Sequence, residues 1–441
     1  MAISVLRSNL TLEQKKLIQK ELTFQYKENK LLKKEYRKKQ EPKEISCFIN
    51  NKTLVLLPFY WAESNFNLSN AYKAEKRNFK SKLGTRDEKQ QKELDDVIQH
   101  LKVNRATALT IRTGAGKTAI SLFCACRYSE FTVVLVHIGD HCTQWLNSIN
   151  KYTTAKGEIV TSDMNGVQQE TDILICLYTR WMKVPSIVRK DIGLLIIDEC
   201  DEFCNPTGIE SVLNFEPKRI LACTATFKRT STGLESMMHQ VVGYDFVSSQ
   251  FDIKFSVTKI MTGISGHREP ARYTHGVNWF KLNKSLLYNE ARNKLIVELV
   301  KIRYEEGMKS LILTTEIDHV MLLYGMIKDD GIKVDYLCEN KKTYTDGDVL
   351  VGTEKKCGRG FDEESFCESW GGKRINNVII VCFIVDEARR IQNSGRGMRA
   401  ANPNIDQLVD NDKTVMKQWD VAEKIYTYMG AEITEVEFCD K

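Results

Sequence analysis

Seven prolines in 441 residues are too few to build long rigid linkers, and no low-complexity tract or solenoid-period repeat interrupts the chain. No apolar run approaches the roughly 18 residues a membrane span needs. A signal-peptide hydrophobic segment is also missing, so neither a spanning helix nor secretion is expected. Cysteine is present at 13 copies but lacks metal spacing: CAC at Cys124 and ECDEFC around Cys200 have no second pair at zinc distance. That odd count, with Cys176, Cys223 and Cys382 in strand-like runs, reads as reduced, mostly buried thiols of an intracellular compartment, cytoplasm or nucleus. A strong excess of one charge is absent as well, since 64 Lys and Arg face 58 Asp and Glu. The surplus is local: residues 1–45 hold 12 basic and 6 acidic residues, and that difference of six equals the net charge of the whole chain. What remains is an ordinary globular composition, 42% apolar and 28% charged, with length for two or three domains.

Four short segments carry chemistry. TGAGKT, residues 113–118, stands between a strand-like run at 106–111 and a helical run at 117–126. Such a turn lets the backbone of Thr113, Gly114, Ala115 and Gly116 approach phosphate oxygens, and the helix N-terminus adds a favourable dipole. Lys117 is then placed for the β- and γ-phosphates and the Thr118 hydroxyl for Mg²⁺. The pattern departs at its first position, where Ile111 replaces glycine. DECD, residues 198–201, follows the apolar run 194–197, which reads as a buried parallel strand. Asp198 at the strand end is the Mg²⁺ carboxylate, and Glu199 positions the attacking water. Alone, DECD is better read as an acidic helix start; about 80 residues beyond a phosphate loop, the nucleotide reading prevails. TAT, residues 224–226, closes the next strand-like run and on its own is turn or cap chemistry. QNSGRGMR, residues 392–399, follows the strand-like run 377–385 and is expected to open a helix, with Arg396 and Arg399 on one face. Brought onto a γ-phosphate from a second sheet, two guanidinium groups act as arginine fingers. Gly395 and Gly397 argue against a plain solvated helix face.

In this order the segments resemble a superfamily 2 helicase or translocase, over most of residues 86–441. VVLVHIGDHCTQWLNSINKY, from Val133, is similar to motif Ia of the UvsW-like and XPB-like branch. DILICLYTRW, from Asp172, resembles the strand and turn that follow, and DVLVGTEKKCGRGFD, from Asp348, resembles motif V. TLVLLPFYWAESNF, from Thr53, is similar to a lead-in of helicases from large eukaryotic DNA viruses. The resemblance implies an α/β fold of two tandem RecA-like P-loop domains, parallel sheets flanked by helices, closing on ATP and Mg²⁺. It implies nucleic acid as partner, with DNA favoured because that branch acts on duplex or branched DNA; RNA stays open, since DECD also occurs in RNA-acting relatives. It assigns Gln91, within TRDEKQQKELDDVI, to the adenine, and Gly360 and Asp362 to the nucleotide pocket. Thr224, Thr226, Gln144, Trp145, Thr353 and Gln392 would couple ATP state to the grip on nucleic acid.

The expected organisation is a basic helical extension at 1–45, a small accessory element at 46–85, an ATP-binding domain at 86–232, a connector at 233–280 and a second domain at 281–441. The N-terminal lysines offer phosphate contacts or a site for a protein partner, against the plainer reading of a solvated lysine-rich face. A P-loop kinase or metabolic ATPase has no use for QNSGRGMR after a second sheet. An inactive scaffold has no need of Lys117, Asp198, Glu199, Arg396 and Arg399 together. An ATP-dependent nucleic-acid motor accounts for all of them.

Overall fold

The computed structural model describes residues 2–25, 44–66, 74–112, 114–225, 227, 234–249, 254–272, 276–339, 341–358, 361–382, 384 and 387–438. They form two compact units that part between residues 250 and 251.

The first unit is built on seven strands: β6 (Ala106–Thr110), β7 (Thr132–Val136), β8 (Gly157–Ile159), β9 (Ile173–Leu177), β10 (Ile192–Asp198), β11 (Pro217–Thr224) and β12 (Phe246–Ser248). Their order across the sheet is β12-β6-β11-β10-β7-β9-β8, and every pairing is parallel. Runs such as TVVLV and GLLII suit this position because a parallel sheet is covered on both faces. Side chains alternate: Leu195 and Ile197 enter one core cluster, Leu194 and Ile196 the other. Parallel register also brings strand ends together, with Thr110 opposite Thr224 and Asp198 opposite Cys223. Crevices outside the carboxyl ends of such sheets are where ligands bind.

The described residues of the N-terminal segment include strands as well as the expected helix. β1 (Ala2–Leu6) pairs antiparallel with β5 (Leu54–Pro58), which pairs with β4 (Ile49–Asn50); β2 (Thr23–Gln25) pairs with β3 (Glu44–Ser46). Among the described residues of 1–45 the α-helix is Leu12–Glu21, opened by a Thr11–Gln14 capping box. Ile3, Leu10, Ile18, Leu22, Ile45, Val55 and Leu57 join the same core cluster as Leu195 and Ile197. The expected extension and accessory element are therefore one module seated on the first sheet, fixed further by an Arg105–Glu63 ion pair at 3.0 Å. Residues 26–43 of the expected helix lie outside the described residues.

The second unit has β13 (Phe255–Met261), β14 (Ser310–Thr314), β15 (Val334–Leu337), β16 (Val349–Thr353), β17 (Asn377–Ile380), β18 (Asn404–Val409) and β19 (Ala431–Glu437). These again form an all-parallel sheet, in the order β15-β16-β14-β17-β18-β13-β19. The connector expected at 233–280 does not exist as such. The helix Ser236–Val242 and β12 complete the first unit, while β13, burying Phe255, Val257 and Ile260, lies between β18 and β19 of the second.

Candidate nucleotide-binding site

At the carboxyl end of β6 the chain turns through Gly114 and Gly116, both at positive φ (81° and 103°), and Gly116 caps the helix Lys117–Tyr128. Gly116 is favoured by its backbone and crowded by a neighbouring side chain. Its backbone is left-handed, and a Cβ there would lie 2.3 Å from the Gln90 amide nitrogen. Ala115 is buried beneath this turn and Thr118 is the second residue of the helix. Thr113 lies outside the described residues.

The three groups expected at the phosphates meet across two strands. Lys117 Nζ donates to Glu199 Oε1 at 3.1 Å. Burial works to lower the Lys117 pKa, but the Glu199 and Asp198 carboxylates outweigh it and hold the ammonium above the ordinary lysine range. Asp198, buried at the end of β10, is likewise penalised by burial. Contacts from His141, Trp145 and Lys117 prevail and keep its carboxyl below the usual range. Glu199 itself has a left-handed backbone (φ 50°, ψ 58°), uncommon for a residue with a Cβ and frequent at functional turns. Its Oε2 is buried without a hydrogen-bond partner among the described residues.

Several assignments change. Gln91, expected at the adenine, points outward: it accepts from Thr85 Oγ1 at 3.0 Å and donates to Asp95 at 3.1 Å, and it lines a separate cavity of about 660 Å³. Its neighbour Gln90 is buried against the phosphate loop and accepts from the Arg86 amide at 2.8 Å. Helical period distinguishes the two, because Gln90 shares the buried stripe of Glu93, Leu94, Val97 and Leu101. Trp145 is not at a surface for nucleic acid. It is 3% exposed and donates Nε1–H to Asp198 Oδ2 at 2.9 Å. Gln144, on the same helix Gly139–Tyr152, is half-buried. Thr224, at the end of β11, donates to Asp201 Oδ1 at 2.9 Å, tying TAT to DECD. Thr226 lies outside the described residues.

In the second unit, QNSGRGMR closes a helix instead of opening one. The helix Glu387–Ser394 ends before Gly395, and Gly397–Arg399 is a separate single turn, so Arg396 and Arg399 do not share a helix face. The Arg396 guanidinium is buried and donates to the carbonyls of Gly358 at 2.7 Å and Phe361 at 2.6 Å. Arg399, more open, pairs with Asp362, which also lies 3.6 Å from Arg374. Thr353 ends β16. Gly360 lies outside the described residues, as does the Gln392 side chain. Expected helices and strands differ otherwise by a few residues; the strand run 377–385 is regular only over Asn377–Ile380.

A phosphate loop and an acidic strand end on one parallel sheet, with a second parallel sheet following, define a tandem RecA-like P-loop ATPase. Residues 84–229 match the family described as type III restriction enzyme, res subunit. The predicted helicase 161L of Invertebrate iridescent virus 6 is 26% identical over 411 residues, covering 85% of this chain and 88% of its own. The predicted ATP-dependent RNA helicase L396 of Acanthamoeba polyphaga mimivirus is 21% identical over 348 residues, covering 76% and 66%. In fold, the chain is similar to S. cerevisiae Dbp5 bound to RNA and ADP BeF3, with TM-score 0.52 and 14% identity over 78% of this chain and 93% of that one. With these similarities the chain is an ATP-dependent helicase, a nucleic-acid-dependent ATPase with viral relatives.

Proposed function

We propose that this helicase uses Lys117, Asp198 and Glu199, with Mg²⁺, to hydrolyse ATP and drive movement along DNA. The meeting of Lys117, Glu199 and Asp198 at the carboxyl edge of the first sheet carries this reading. The donor set fits Mg²⁺, which keeps several waters and takes one or two carboxylates alongside phosphates. Among the described residues no group of three or more His, Cys, Asp or Glu is placed to hold a metal by protein alone, and an unpartnered buried Glu199 oxygen lies beside Asp198. Thr118 and Asp198 would hold the ion, which would neutralise phosphate charge. Lys117, drawn onto the phosphates, would release Glu199 to orient water. Gln90, and not Gln91, would read the adenine.

From the second unit, Arg399 is the stronger finger candidate, with Arg396 holding the Gly358 and Phe361 carbonyls and Asp362 holding Arg399. Thr224, Thr353 and Gln392 would transmit nucleotide state to the bound strand. Buried thiols support work in a reducing compartment, since eleven of the twelve described cysteines are buried and only Cys126 is partly open. The N-terminal lysines would add phosphate contacts or receive a protein partner.

DNA is favoured by the motif Ia and motif V resemblance and by the restriction-enzyme family match. RNA is a second reading, because one relative is named an RNA helicase and the solved neighbour is bound to RNA. ATP turnover measured with single-stranded, duplex and forked DNA and with matching RNA separates them. Strongest stimulation by DNA is expected; stronger stimulation by RNA reverses the choice, and none by any of them rejects the motor.

A further inference from the structure

Trp145 and His141 lie one helical turn apart on the helix Gly139–Tyr152, so their side chains leave the same face. Both reach the same atom. The Trp145 indole donates to Asp198 Oδ2 at 2.9 Å, and His141 Nδ1 approaches that oxygen at 3.5 Å. Both side chains are buried, at 3% and 4% exposure, among apolar neighbours that include Cys142 and Ile149. A buried indole N–H needs an acceptor, and a neutral carbonyl would have served. Here it takes a carboxylate at the end of β10, across 53 residues of sequence.

We propose that Trp145 and His141 are positioning residues for the metal carboxylate: the Trp145 hydrogen bond holds Oδ2, the His141 ring packs beside it without a hydrogen bond, and together they fix the plane of Asp198 and present Oδ1 to the hydrated Mg²⁺ of the nucleotide. The inference rests on the reading of Asp198 as the metal carboxylate and extends it to a helix that the motif Ia resemblance assigned to nucleic acid. A carboxylate free to turn about its last bond spreads its lone pairs over many directions. One anchored by a charge-assisted hydrogen bond offers a single oxygen in a single direction, the usual task of groups behind a metal ligand. The helix thereby becomes a rigid connection between the loop 137–138, at the carboxyl edge beyond β7, and the metal carboxylate.

The test uses the full chain and a fluorescent ribose-labelled ADP, titrated with and without Mg²⁺. Trp145→Phe keeps most of the ring volume and removes the N–H. It should raise the Mg²⁺ concentration needed for tight ADP binding by about tenfold, the lower end for loss of a partner behind a metal ligand. Metal-free ADP affinity should stay within about twofold. His141→Gln should give a smaller shift in the same direction, and Asp198→Asn the largest. A merely structural tryptophan would lower the melting temperature and leave the Mg²⁺ requirement where it is. An unchanged requirement in Trp145→Phe, with Asp198→Asn still shifted, overturns the tether and leaves the metal reading standing. No shift in Asp198→Asn overturns both. Should Trp145→Phe fail to fold, His141→Gln is read in its place, and an unchanged requirement there rejects the proposal.

Discussion

Lys117 and Glu199 pair at 3.1 Å, yet hydrolysis asks different things of each. Lys117→Ala removes a charge that accompanies the phosphates through the transition state; Glu199→Gln keeps the shape and removes only the group that orients water. Both should abolish turnover, and Glu199→Gln should still bind ATP. A near-normal steady-state rate from Lys117→Ala would overturn the phosphate-loop assignment. Arg399→Ala should lower turnover by a factor of about 10³–10⁵, as for an arginine finger, with little effect on nucleotide affinity. Arg396→Ala should instead destabilise the second unit by about 1–3 kcal/mol in urea unfolding, because the Gly358 and Phe361 carbonyls lose their buried donor. Equal stability of the two variants would argue against that division. His319 gives a pH test. It is fully buried, 2.7 Å from Thr314 Oγ1 and 2.9 Å from Asn293 Oδ1, and burial, with Arg292 near, pushes its pKa down to about 3. Unfolded, it titrates near 6.5. Below that pH the unfolded chain binds the extra proton, so stability present above pH 6.5 is lost as pH falls, by about 1.4 kcal/mol per unit. Urea unfolding at about pH 7.5 and 5.5 should show that loss in the wild type and a smaller one in His319→Gln. Equal losses would reject the assignment.

Elements show where local signals misled. Lys15, Lys16 and Lys20 lie exposed on a polar helix face, but Ile18 and Leu22 are buried, and β1 needs β5 as its partner. Charge runs report solvent; they say nothing of what the apolar residues between them touch. Deleting residues 1–45 removes Ile3, Leu10, Ile18, Leu22 and Ile45 from the core beneath the first sheet. At about 1.5–3 kcal/mol for each buried side chain, the loss rivals the roughly 5–15 kcal/mol that holds a domain folded. The deletion should therefore abolish cooperative melting of the first unit by circular dichroism, and with it nucleotide binding. A truncated chain with a wild-type melting curve would show the module to be dispensable. The helix before Arg396 was misread for a related reason. Glycines at 395 and 397 were legible as weakening a helix, but which side of them the helix lies on depends on Arg390 Nη1 reaching Gln407 at 2.9 Å, across to β18.

For the molecule as a whole, the division between residues 250 and 251 predicts which fragments fold. A chain ending at residue 250 keeps the seven-stranded first sheet with its N-terminal module, and should melt cooperatively and bind nucleotide. It should hydrolyse ATP negligibly for want of Arg399. A chain ending near residue 280 would carry β13 away from β18 and β19 and should aggregate more readily, read by light scattering. Full turnover by the shorter fragment would rule out a site shared by two units. The sequence by itself determined the phosphate loop, the acidic strand end and the two series of parallel strands. Each is a property of a few consecutive residues: glycines where backbone must approach phosphate, a carboxylate where an apolar run stops. Only tertiary structure decided that Trp145 holds Asp198 and that Arg396 is bound by its own unit. It alone decided that the N-terminus is core. Those outcomes rest on contacts between residues 53 apart for Trp145 and Asp198, 38 for Arg396 and Gly358, and 190 for Cys47 and Met237, distances over which no local pattern chooses a partner.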